Sequence, residues 1–274
     1  DMIESVGVIG TGNVAKAICP ALLQNGIKIS QVLSRDQGRT DEFCRHLNDL
    51  IGESPSLHDK NSHKVRAISS FEHLDTQADL YLLAVSDDAI RSASDQIAKF
   101  LAPDRLIAHL SGAMSPAILN QHFTKRVCIW PLYSFSGQIV QWKTIPVFLT
   151  AGPETIMDVK ELAGRISDQV HIIEDSDKEK VHVAAVFANN FSNYNLRIAE
   201  KILNEAKVPF SVLESITSGM FEKAFNTGPL ASQSGPAHRG DSATIEKHLS
   251  IINKLYPQYV DLYRIYSEII RQKK

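Results

Sequence analysis

The chain has 274 residues, 43% of them hydrophobic and 22% charged, with a net charge of −2. That balance excludes a disordered chain and any general attraction to nucleic acid or to an acidic membrane surface. Cys19, Cys44 and Cys128 fall in no metal-binding or C-x-x-C spacing, so a reducing, cytoplasmic setting is expected, and no apolar run approaches the roughly 18 residues of a membrane span.

The first half alternates two kinds of segment. β-rich runs at 5–10, 29–34, 78–85, 105–112 and 126–131 are separated by helical stretches. In "NVAKAICPALLQNG", Val14, Ala17, Ile18, Ala21 and Leu22 follow the apolar stripe of a helix, and Gly26 stops it. Near-continuously apolar strands divided by helices predict a parallel sheet covered on both faces. A strand at 144–152, a helix at 154–169 and a strand at 170–175 are expected to extend it. After Asp177 the alternation ends, and four helical patterns follow near 178–206, 210–226, 241–255 and 257–272, with Pro257 in a first helical turn. The expected architecture is an α/β domain over 1–176 and an all-α domain over 177–274. The first of these helices, if continuous, is roughly 40 Å long. That is more than a small domain needs for itself, so a homodimer through the C-terminal helices is expected.

Chemistry concentrates first in "VGVIGTGNVAKAI", a G-x-G-x-x-A pattern directly after a strand and before an amphipathic helix. Gly10 permits a tight turn, Gly12 lets the backbone approach a pyrophosphate, and Ala15 keeps strand and helix close. Thr11, Asn13 and Val14 complete the turn and the helix N-terminus, whose N–H groups and partial positive charge suit an anion. About twenty residues on, an acidic residue usually holds the adenine ribose of NAD. Here the strand ends in Ser34 and Arg35, with Arg39 one turn later. A hydroxyl and two guanidiniums suit a 2′-phosphate, so the expected cofactor is NADP. The alternatives are that Arg35 and Arg39 are solvated turn charges, or that a one-residue slip brings Asp36 to the ribose.

Val85 and Ser86 close the strand at 78–85 and are expected at the cofactor, whereas Asp87 and Asp88 read as helix caps. His109 and Ser111 in "HLSGAMSP", like Ser134 and Ser136 in "WPLYSFSG", follow strands at the carboxyl edge of the sheet, where the nicotinamide end belongs. No G-x-S-x-G elbow is present to support serine hydrolysis, and the histidines lack metal-ligand spacing.

In the second half, His182, Val186, Asn189 and Asn193 fall within an arc of about 60° at helical spacing. Such amides need partners; either a bound polar substrate or an inter-subunit hydrogen-bond network would supply them. The glycine-bracketed loop 226–249 carries Arg239, a candidate clamp for an anionic group, while Asp241 or Ser242 opens the next helix.

Together "GVIGTGNVA", "ADLYLLAVSDDAI", "HLSGA", "WPLYSFS", "HVAAVFANNFSNY" and "TGPLASQSGPAHRGDSATIEKHL" resemble a bacterial family across nearly the whole chain. That family joins a Rossmann-like domain to a helical domain of unknown function and is classed as NADP- or deazaflavin-dependent oxidoreductases. More distantly the chain is similar to the 6-phosphogluconate dehydrogenase-like superfamily, including pyrroline-5-carboxylate reductases and hydroxyacid dehydrogenases. The resemblance implies a dimerising all-α domain and an active site in the interdomain cleft. It also exposes a departure. Hydroxyacid dehydrogenases carry K-x-x-N-N on the first long helix of the second domain, where this chain reads Val186, Phe187, Ala188, Asn189, Asn190. The lysine is missing. His182, one turn earlier, is the substitute for proton transfer, with Asn189 and Asn193 orienting a small-molecule substrate.

Overall fold

The computed structural model describes residues 2–53 and 64–272. Eight strands form one sheet in the order β3-β2-β1-β4-β5-β6-β7-β8. They are β1 (Ser5–Ile9), β2 (Lys28–Leu33), β3 (Arg66–Ile68), β4 (Leu80–Leu83), β5 (Leu106–His109), β6 (Lys125–Pro131), β7 (Val147–Ala151) and β8 (Val170–Ile172). Strands β1 to β6 run parallel, and β7 reverses against β6 before β8 pairs parallel to β7. The sheet is therefore mostly parallel, with one antiparallel join that apolar patterning alone does not reveal. Strand β3 is also absent from the sequence reading, whereas the equally short β8 falls within the strand expected at 170–175.

The two sheet faces follow the pleat. Val6, Val8, Leu80, Leu82, Leu106 and Ala108 point into one core, and Ile9, Tyr81, Leu83 and Ile107 into the other. Helices α1 (Asn13–Gln24), α2 (Gln37–Glu53) and α4 (Pro153–Ile166) cover the first face with Ile18, Leu22, Phe43, Leu47 and Leu162, while α3 (Asp87–Ile97) covers the second with Ile90 and Ile97. Cys19, Cys44 and Cys128 are buried in these layers and unpaired. Burial pushes the thiols of Cys44 and Cys128 up to about 12, and that of Cys19 further still.

From Asp175 the chain is helical. Helix α5 (Asp175–Ala185) passes through a π segment at Val186–Phe191 into α6 (Ser192–Glu205), and α7 (Glu214–Thr227) follows. Short α8 (Pro229–Ser232) and α9 (Pro236–Arg239) precede α10 (Ser242–Leu255) and α11 (Val260–Gln272). The long helix is thus continuous, but its i→i+5 stretch breaks the 100° spacing on which the His182–Asn193 stripe was counted. By contact density the chain divides into a unit ending at Phe187 and a second from Ala188 onward. In the second unit only Ala237 and Ile245 are buried apolar residues among those described, while Phe225, Leu230 and Ile216 are 89%, 74% and 71% exposed. No helix among the described residues is long and apolar enough to cross a membrane.

Candidate functional site

The strand order reverses between β1 and β4, the point where open α/β sheets bind ligands at their carboxyl edge. A cleft of about 780 Å³ opens there. Gly10, Thr11 and Gly12 line it from the β1–α1 turn, Ser34, Arg35 and Arg39 from the end of β2, and Val85 and Ser86 from the end of β4. The turn is tight because the Gly10 N–H donates to the Leu33 carbonyl at 2.8 Å while the Ala84 N–H donates to the Ile9 carbonyl at 2.7 Å. Gly10 adopts φ +117°, and a Cβ there would lie 2.1 Å from the Ala84 carbonyl oxygen. Gly12 differs: its backbone is extended, it caps α1, and nothing lies within 4 Å of where its Cβ would be. The space beside the α1 N-terminus is therefore open to a ligand, and no acidic side chain sits in that first turn. Asn13 and Val14 turn elsewhere. Asn13 donates to the Phe135 carbonyl at 3.2 Å, and Val14 packs on the core.

At the β2 end the three expected phosphate contacts differ. Arg35 is exposed on the cleft wall and makes no ion pair or hydrogen bond among the described residues. Arg39 pairs with Asp36, Nε to Oδ2 at 3.4 Å, while the other Asp36 oxygen accepts from the Arg39 N–H at 3.0 Å. The Asp36 carboxylate is thus engaged in its own helix start. Ser34 Oγ lies 2.7 Å from Thr40 Oγ1 and 3.0 Å from the Asp36 carbonyl, so its proton is committed to the turn. Ser69, Ser70 and Phe71, just beyond β3, also line the cleft. Sequence reasoning missed them with their strand, although "VRAISSF" carries the β-rich signature in miniature.

Ser86 is the N-cap residue of α3 without a side-chain cap bond, and Asp87 and Asp88 occupy its first turn. His109 ends β5 fully buried and does not reach the cleft surface. Its Nδ1 accepts the Ser111 N–H at 3.2 Å, which leaves the proton on Nε2, an atom with no partner in hydrogen-bond geometry among the described residues. Burial, reinforced by the nearby Lys178 ammonium, lowers the His109 pKa to about 4, against smaller upward contributions from the Ser115 backbone, Asp87 and Asp175. The ring is neutral at physiological pH.

His182 is half-buried on α5, its ring edge-on to Trp130 at 5.7 Å. Lys178, four residues earlier, is completely buried; its Nζ donates to the Met114 carbonyl and lies 3.5 Å from Asp175 Oδ1. Sequence reasoning missed this lysine; its i, i+4 spacing to His182 was the available signal. In the second unit, Asn189 lies in the π segment, Asn193 on α6 and Arg239 at the end of α9, all exposed. Asp241 caps α10, accepting from the Thr244 N–H and hydroxyl, which holds its carboxyl below the ordinary range.

Residues 5–110 match the family model described as NADP oxidoreductase, coenzyme F420-dependent, and residues 145–270 match a domain of unknown function, DUF2520. No curated protein matches the chain. Among solved structures, a Bacteroides fragilis protein, itself assigned only by inference as an NADP oxidoreductase, superposes with a TM-score of 0.84 at 25% identity over 98% of each chain. An imine reductase from Myxococcus stipitatus in complex with NADP+ gives 0.71 at 12% identity, covering 98% of this chain and 93% of that one. A pyrroline-5-carboxylate reductase from Coxiella burnetii gives 0.58 at 13% over 98% of each. The last two show the shared fold. The chain is thus similar over 5–110 to an NADP oxidoreductase domain of the coenzyme F420-dependent type and over 145–270 to a DUF2520 domain.

Proposed function

We propose that the chain is an NADP(H)-dependent oxidoreductase acting on a small polar, anionic substrate. The observation that carries the reading is Arg35, a guanidinium without a partner among the described residues, on the wall of a cleft whose floor is a glycine turn at a helix N-terminus. A 2′-phosphate is the group that this arrangement suits, with Arg39 a second contact if it leaves Asp36. The bound nicotinamide supplies hydride chemistry; the protein supplies orientation and proton handling. His182 moves the proton, Asn189 and Asn193 orient the substrate, and Arg239 holds its anionic group. His109 and Ser111 shape the nicotinamide end from behind.

Calorimetry checks this. Arg35→Ala is expected to weaken NADPH binding roughly 10- to 100-fold, the loss of one charge-assisted contact, and to leave NADH binding unchanged. In an NADPH-oxidation screen over imines, keto acids and deazaflavin, His182→Ala keeps cofactor affinity and loses turnover. Equal losses for both nucleotides would remove Arg35 from phosphate recognition. Val186 in place of a lysine favours one other reading, an NADP(H) sensor that binds and turns over nothing.

The second unit further supports a homodimer. A helical unit with two buried apolar residues among those described is short of a core of its own, so its apolar faces need cover. Sedimentation is expected to show a dimer at micromolar concentration; a monomer with full helical signal would overturn this. Three buried, unpaired thiols agree with a reducing cytoplasm.

A further inference from the structure

Lys178 is the strangest buried group in the first unit. Burying an ammonium costs several kcal/mol unless it is well paired, and an apolar side chain of equal length often packs as well or better. Its contacts show what it connects. The Met114 carbonyl that accepts its proton ends the turn Ser111–Met114, in which Ser111 Oγ accepts the N–H groups of Ala113 and Met114, both at 3.2 Å. The Ser111 N–H donates to His109, and the Cys128 thiol donates to the Ser111 carbonyl at 3.2 Å. Gly112, inside the turn, lies flat beneath Trp130; a Cβ there would meet the indole at 2.4 Å. Trp130 in turn carries the edge of His182, one helical turn from Lys178 on the same helix face. The contacts close a ring: Lys178 to the turn, the turn to Trp130, Trp130 to His182, and His182 back along α5 to Lys178.

We propose that Lys178 is a positioning residue that clamps the Ser111–Met114 turn and so fixes the His182 imidazole against Trp130. The role of that imidazole in proton transfer rests on the function proposed above; the clamp itself does not. Asp175 anchors the ammonium from its own helix turn, and neutral His109 adds no competing charge behind it. The ring also accounts for glycine at position 112.

The test uses the indole as a probe. The chain has two tryptophans, so in a Trp142→Phe background Trp130 is the sole emitter. Indole emission responds to the ring packed on it, so His182→Gln is expected to change the Trp130 emission maximum and intensity. Lys178→Met is expected to reproduce that change and to lower kcat roughly 30- to 100-fold, the cost of a misplaced reacting group, with NADPH affinity kept. Gly112→Ala, which displaces Trp130 without touching the charge, is expected to act alike and decides the matter if Lys178→Met does not fold. A His182→Gln variant with the parent's emission, or parent-like emission in the variant tested, overturns the proposal. If the parent chain turns over no substrate, the enzymatic reading falls while the emission result still decides on the clamp.

Discussion

Gly10→Ala is expected to destabilise the protein by roughly 3 kcal/mol or more and to abolish NADPH binding, whereas Gly12→Ala leaves stability unchanged and weakens only binding. The two glycines share a motif but meet different constraints. At Gly10 the backbone sits at φ +117°, and the added methyl would lie 2.1 Å from the Ala84 carbonyl oxygen and 2.6 Å from its carbon. Both are backbone atoms of the neighbouring strand, held by the Ala84–Ile9 hydrogen bond, so they cannot step aside as a flexible side chain would. The β1 and β4 ends must separate. At Gly12 the same methyl points into open space, at φ −76°, which any residue adopts. It would intrude only on a phosphate placed against the helix N-terminus. Urea unfolding and calorimetry on the two variants separate these roles. Equal stability losses would show that both glycines serve the turn alone.

The second large effect is acid sensitivity from His109. Its pKa lies at about 4 in the folded chain against an ordinary 6.5, chiefly through burial. Between those values the unfolded chain binds a proton that the folded chain refuses. Stability therefore rises with pH across this window: the contribution is fully present above about pH 6.5 and is lost as pH falls toward 4. A shift of this size is worth on the order of 3 kcal/mol. His109→Gln, which keeps an acceptor for the Ser111 N–H, is expected to flatten the pH dependence of the unfolding free energy, read from urea curves between pH 7 and 4, by that amount. Parallel curves for the variant and the parent chain would show that His109 titrates freely.

The fold was legible wherever a pattern was long enough to repeat. The strands of the first half, the stripe of α1 and the helical second half all follow from periodicity, and the glycine turn from its place between strand and helix. Three features escaped for physical reasons. Strand β3 offers three residues and opens on a charge, Arg66, where the equally short β8 opens on Val170. The reversal at β7 is a matter of chain direction, which apolar content does not encode. The π segment places one residue too many in a turn, and nothing in "VFANNF" distinguishes it from an α-helix. At the site, sequence could name Ser34, Arg35 and Arg39 but not that Asp36 and Thr40 occupy two of them; that division depends on side-chain geometry. Lys178 was hidden for the opposite reason. Among the charges of "EDSDKEK" it reads as a solvated surface, and only the loop folding over it removes it from water.

The three cysteines give the molecule an unplanned virtue at the bench. Each sulfur is sealed inside a layer of the sheet domain and stays protonated far above neutrality, so an alkylating reagent finds nothing to attack on the intact surface. Every adduct formed then marks a moment when a layer parted, and the adducts at Cys19, Cys44 and Cys128 record which layer it was.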